Sequence, residues 1–324
     1  MLRRLPRNLD ETYGRILSDI DDVLRSDAMK LLRWLAYAQS PPTLAELTEI
    51  PIIDPSGPGS VRVDDRGGLE DALDILSGLV IVEASDGRRN RYHPGSRTQK
   101  CQTDLRKSHD TKVRLAHFSV KEFLESERIA TSSLKDFHLR GVREHDSLAQ
   151  TCLTYLLHYS SDGSRTMSEK DLAIYPLLEY AAQSWPFHSS FQDGRSIERE
   201  VSLLTLESTR RDWLRIYQPD LPQRASFGHI HDVGSGLYYA SVLGLEPVVY
   251  KILRMAETSI DEQGGEYGSA VGAASAKDHC KIVKLLFAHT ADLDIRGYRG
   301  KTALHHAVLN GCADCVSLLL GRQA

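Results

Sequence analysis

Apolar residues recur at spacings of three and four over most of the chain, the pattern of helices that each bury one face. Tyr13, Ile16, Leu17, Ile20 and Leu24 form the first stripe, behind Asn8 and Glu11, which read as an N-cap with its reciprocal carboxylate. Ala28, Leu31, Leu32, Leu35 and Ala36 form a second, on a helix opening near Ser26 and stopped by Pro41-Pro42. Thr43 and Glu46 make a capping box for a short third helix, and Pro51 to Gly59 is a Pro/Gly-rich loop. Leu69, Ala72, Leu73 and Leu76 mark a further helix closed by Gly78. The period then changes: Leu79-Val80-Ile81-Val82 and Val113 to Phe118 read as strands flanking a polar loop, Ala84 to Lys112. Ser119 and Glu122 form a capping box that returns the chain to helix. Farther on, Ala149, Cys152, Leu153 and Leu156 share one face, and Pro176 opens a helix bearing Leu177, Leu178, Ala181, Ala182 and Trp185, which Pro186 ends. One long helix is expected from Ser196 to Tyr217, before Pro219 and Pro222 break the chain.

The last third repeats itself. Thr302-Ala303-Leu304-His305-His306-Ala307 has a worn copy thirty-three residues earlier, Ser269-Ala270-Val271-Gly272-Ala273-Ala274. A fainter copy runs through Leu237, Ala240, Gly244, Val248, Val249, Ile252 and Leu253, one residue out of phase. A helical unit of this period cannot bury its apolar face alone and must stack on its neighbours, which builds a binding surface rather than a catalytic pocket. Thr302 is placed to cap a helix and meet the imidazole of His305 one turn on, and Gly311 to end that helix in a left-handed turn. Asp278 stands where the middle copy should have the same glycine. Thr302, Leu304, His305, Ala307 and Gly311 resemble the ankyrin repeat, with Ala303 in place of its usual proline.

Composition narrows the class. With 324 residues, 41% of them hydrophobic, the chain can build two or three modest domains. A net charge of −4 implies no global attraction to nucleic acid. Five cysteines outside any repeated framework suit a reducing compartment, and no apolar run has the length of a membrane span or a signal peptide. These features point to a cytoplasmic or nuclear protein with no membrane partner.

Helices followed by two strands around a loop is the order of a winged-helix domain with a small β wing. Leu5-Pro6 with Leu9 to Tyr13 resembles the end of the ATPase domain in fungal NACHT–ankyrin proteins, relatives of the NOD-like receptors. Leu32 to Leu35, Thr43 to Leu47 and Val113 to Leu124 resemble the winged-helix module that follows that ATPase, the type named after the GPI inositol-deacylase. Cys152-Leu153, Tyr155 to Leu157, Tyr180 to Ala182, Trp185 and His188 are similar to the helical segment leading to the ankyrin array. The expected fold is therefore mainly α. Residues 1–25 are the helical tail of an absent ATPase domain, 26–130 a winged helix, 131–225 a helical linker and 226–324 an ankyrin solenoid of about three repeats.

The resemblance implies a non-enzymatic module for protein–protein interaction and signal transduction. The repeats bind a protein partner, and the winged helix relays to an ATPase domain in full-length relatives. The partner face is expected at turn tips and inner helices: Glu266, Tyr267, Ala273 and Lys277 in the middle repeat, and Tyr298, Arg299, Lys301, His306 and Asn310 in the last. No catalytic residue, cofactor or metal is expected. Gly300-Lys301-Thr302 looks like the tail of a P-loop, but the required first glycine falls at Ile295. Cys312-Ala313-Asp314-Cys315 reads as structural, since one cysteine pair is a weak metal signal. Two other readings stand beside this one. The loop carrying Arg88, Arg89, Arg91, Arg97, Lys100, Arg106, Lys107 and Lys112 would let a winged helix grip a DNA backbone, although Glu70, Asp71 and Asp74 on the preceding helix would repel phosphates. The chain would alternatively be a truncated ATPase fragment without independent activity.

Overall fold

The computed structural model describes residues 7–56, 60–83, 89–91, 111–191, 196–221, 227, 232–256 and 258–321. The fold is mainly helical, and the chain divides into two compact units, 1–151 and 152–324.

In the first unit, helix α1 (Arg7–Ser18) buries Tyr13 and Leu17, and α2 (Arg25–Tyr37) buries Ala28, Leu31, Leu32 and Trp34. The helix already runs from Arg7, so the cap expected at Asn8 lies inside it. Helix α3 (Leu44–Glu49) opens on the predicted capping box. The Thr43 hydroxyl accepts from the Glu46 amide at 3.2 Å, and the Glu46 carboxylate accepts from the Thr43 amide at 2.6 Å. Helix α4 (Leu69–Ile75) follows, and Gly78, at φ +85°, turns the chain into a sheet.

That sheet has one strand more than the sequence suggested. Strand β3 (Val80–Glu83) pairs antiparallel with β5 (Lys112–Leu115), Val82 opposite Val113, and on its other edge with β4 (Arg89–Arg91), Ile81 opposite Arg91. The intervening loop residues 84–88 and 92–110 lie outside the described residues, with Arg88, Arg97, Lys100, Arg106 and Lys107 among them. A separate two-stranded ladder joins β1 (Ile53–Asp54) to β2 (Ser60–Val61). Strand β5 is tied to the start of α3, because the Leu44 amide donates to the Thr111 carbonyl at 2.8 Å and the Val113 amide to that of Pro42 at 2.9 Å. The next helix, α5 (Phe118–Leu124), is capped by His117 rather than Ser119: its Nδ1 accepts from the Ser119 amide at 3.2 Å. Ser119 is buried instead and bonds the Tyr13 hydroxyl at 2.8 Å. A short helix α6 (Glu127–Ala130) follows.

Helix α7 (Val142–Ser161) crosses the border between the units, and α8 (Asp171–Ile174) succeeds it. Two expectations fail in the second unit. Pro186 does not end its helix but lies inside α9 (Leu178–Ser189). Proline removes one helical donor and leaves the carbonyl four residues back without a partner. Here that carbonyl, of Ala182, accepts from the indole N–H of Trp213 at 2.9 Å. The long helix expected over 196–217 is two helices, α10 (Glu198–Thr205) and α11 (Glu207–Ile216), broken at Leu206 where φ is −74° and ψ 118°. The carbonyls freed by the break are taken up by side chains. Arg210 Nη1 donates to Leu204 O at 2.6 Å, and the Thr209 hydroxyl to Leu203 O at 2.9 Å.

Candidate partner surface

The C-terminal third is a stack of three helical hairpins: α12 (Gly236–Val242) with α13 (Glu246–Leu253), α14 (Ala270–Ala276) with α15 (Cys280–Ala288), and α16 (Ala303–Leu309) with α17 (Ala313–Leu320). The first helices pack on one another in order, and so do the second helices of successive hairpins. Each hairpin is built by the same local chemistry. Ser235 and Ser269 cap α12 and α14, their hydroxyls accepting from Tyr238 N and Gly272 N at 3.1 Å. Thr302 caps α16, and its hydroxyl lies 2.8 Å from His305 Nδ1, which also accepts from the Thr302 amide at 3.3 Å. Each first helix ends in a left-handed residue: Gly244 at φ +73°, Asp278 at +60° and Gly311 at +73°. The next amide then turns back onto the helix, Leu245 to Ala240, His279 to Ala274 and Cys312 to Ala307, at 2.9–3.1 Å.

The turns that precede the hairpins are equally periodic. Gly264 N donates to Gly268 O at 3.2 Å, and thirty-three residues on Gly297 N donates to Lys301 O at 2.8 Å. Neighbouring turns meet backbone to backbone at their glycines, and a Cβ on Gly297 would stand 2.7 Å from the Gly268 Cα. The preceding segment is bonded to the first of these turns. Tyr238 donates to Asp220 at 2.8 Å, and the amides of Glu266 and Tyr267 donate to Asp220 and to the Tyr238 hydroxyl, each at 3.2 Å.

The structure sorts the expected partner residues into three groups. Lys277, Arg299 and Asn310 are exposed, and Glu266, Tyr267 and Lys301 are half-buried. Lys277 Nζ lies over the Tyr267 ring, 5.7 Å from its centroid. Tyr298 lies in a short turn, Tyr298–Gly300, and its side chain is outside what is described. Ala273 and His306 are corrections: both are buried and offer no side-chain surface. Ala273 is enclosed because inner helices approach closely along that face. His306 packs edge-on against Tyr267 with ring centroids 5.1 Å apart. Burial, helped by the charge of Lys301 and by His305, lowers its pKa to about 4, so the ring is neutral near pH 7.

Two further clusters stand out among the described residues. A cleft of about 800 Å³ in the first unit is lined by Asp19, Asp21, Asp27, Asp65, Asp71 and Asp74. In the array, Asp278, Cys280 and Cys315 converge from two hairpins. The sequence pairs Cys315 with Cys312, whereas the fold brings it to Asp278 and Cys280 of the preceding repeat, a juxtaposition that no spacing in the sequence signals.

Comparison with known proteins agrees with this geometry. Residues 237–324 match the family described as ankyrin repeats, in three copies. Over 312 residues the chain is 32% identical to the azaphilone pigments biosynthesis cluster protein L of Monascus ruber; the match covers 90% of this chain and 61% of that protein. No helix among the described residues is long and apolar enough to cross a membrane. The C-terminal third of this chain is an ankyrin array, and ankyrin repeats generally mediate protein binding.

Proposed function

We propose that this protein is a non-catalytic recognition and regulatory module. Its ankyrin array holds a protein partner on Tyr267, Lys277, Arg299, Lys301 and Asn310. Its N-terminal unit is a winged helix that relays to a NACHT-type ATPase domain in longer relatives. The observation that carries the reading is the placement of exposed or half-exposed cationic and aromatic side chains on turns whose spacing is set by backbone contact. Such a surface is preorganised, so little conformational freedom is lost on binding. The order α2, α3, α4 and then antiparallel β3 and β5 supports the winged-helix assignment. The acidic cleft beside α4 favours a protein over a DNA partner for that unit, since carboxylates repel phosphates.

The test compares quantitative affinity enrichment from the native host using wild type and a Lys277→Ala/Arg299→Ala variant of unchanged melting temperature. Loss of specific partners from the variant supports the reading, and full retention of every partner overturns the surface assignment. A salt-dependent gel shift lost on neutralising Arg88, Arg89 and Arg91 would replace it with the DNA-binding alternative.

A further inference from the structure

The seam between the second and third repeats gathers three cysteines and a carboxylate that the partner surface does not use. Asp278 sits in the left-handed turn after α14, Cys280 opens α15, Cys312 precedes α17 and Cys315 lies within it. An Asp278 carboxylate oxygen and the sulfurs of Cys280 and Cys315 all lie within 4.8 Å of one another, and Cys280 Sγ is 3.5 Å from Asp278 Oδ1. Cys312, itself buried, lies outside this group. Cys315 is fully buried, Cys280 is half-buried, and all three are free thiols.

This donor set has a chemical preference. Thiolates with one carboxylate suit a tetrahedral zinc ion far better than magnesium or calcium, which take oxygen ligands. With Zn–S near 2.3 Å and Zn–O near 2.0–2.2 Å, ligand atoms on one zinc stand about 3.5–3.8 Å apart. The contact between Asp278 and Cys280 already has that length. Asp278 is also an unusual residue for its turn, because the equivalent positions in the other two repeats, Gly244 and Gly311, are glycine. A side chain kept at a left-handed position, aimed at two sulfurs, fits a ligand better than a turn former.

We propose that Asp278, Cys280 and Cys315, with one water completing the tetrahedron, form a zinc site that clamps the third repeat onto the second. Each cysteine ligand gives its thiol proton to water as the metal binds, and no electron is transferred. The site draws on both repeats, so bound metal stabilises their docking rather than either hairpin alone. The inference is independent of which partner the array recognises.

The full chain, reduced and stripped of metal, is titrated with cobalt(II) and then zinc. The expected result is one equivalent of cobalt giving thiolate-to-cobalt absorption, displaced by zinc, with a rise in melting temperature on zinc addition. Cys280→Ala, at a half-buried position, loses that rise. Asp278→Gly supplies the residue the backbone prefers, so it folds at least as well without metal yet also loses the rise. Absence of thiolate–cobalt absorption in the reduced chain overturns the proposal. So does a zinc-induced rise that survives both substitutions, or a Cys280–Cys315 disulfide in a chain whose reduced form binds no cobalt.

Discussion

In residues 1–151 the bonds that fix helix against helix join positions far apart in the chain, whereas in 236–321 the same turn chemistry recurs at short range. Tyr13 meets Ser119 across 106 positions, Arg33 meets Glu144 across 111, and Tyr37 meets Glu125 across 88. The array instead repeats a hydroxyl cap, a left-handed stop and a returning amide within each hairpin. The first unit must therefore close long loops before its polar links form, and it gains or loses them together. The array can lose one hairpin and keep its neighbours.

The largest expected effect tests the long-range side. The Glu144 carboxylate receives the Arg33 guanidinium and the Arg140 amide at 2.9 Å, and it is buried. Glu144→Ala should destabilise the first unit by about 2 kcal/mol, because it leaves the half-buried Arg33 guanidinium without its carboxylate and only the Ser147 hydroxyl, at 3.0 Å, to bond. Hydrogen exchange should then rise throughout residues 7–151; a rise confined to the start of α7 would refute the cooperative picture. A smaller effect tests the local side. Thr302→Ala removes a cap and should cost about 1 kcal/mol. Exchange should quicken in α16 and α17 while α12 and α13 keep their protection. Uniform acceleration across all three hairpins would mean the array behaves as one block.

The effect that is smallest near neutral pH is a slope that opens on acidification. The folded pKa of His306, about 4, lies below the ordinary 6.5, so between those values the unfolded chain binds the proton that the buried ring excludes. Stability of the array should fall as pH drops from 6.5 toward 4 and be unaffected by this group above that range. Lys301 and His305 are the neighbouring cationic groups, and Tyr267 packs edge-on against the ring. His306→Phe keeps the aromatic contact and should flatten that slope in thermal melts taken across the window. Equal slopes in both proteins would remove His306 from the account.

The same contrast explains what could be read from the residues. The Thr302–His305 cap, the stop at Gly311 and the Thr43–Glu46 box are local, and each appeared where its residues stood. Pro186 misled because its helix continues only if a distant donor, the Trp213 indole, satisfies the Ala182 carbonyl. The break at Leu206 depends on Arg210 and Thr209 reaching back to loose carbonyls, which a run of good helix formers does not announce. His117 took the capping role because Ser119 was drawn into the core by Tyr13. Among the expected partner residues, Ala273 and His306 shared the right repeat positions but point into the stack. Periodicity alone does not say which side of an inner helix is covered by the next hairpin.

The meeting of Gly268 and Gly297 leaves no room for a side chain between successive turns. Their separation is thus a ruler cut from main chain, blind to whatever residues decorate the tips. Substitutions at positions such as Lys277 or Arg299 can then rewrite what the array recognises while its spacing stays fixed, so new specificities are reachable one residue at a time.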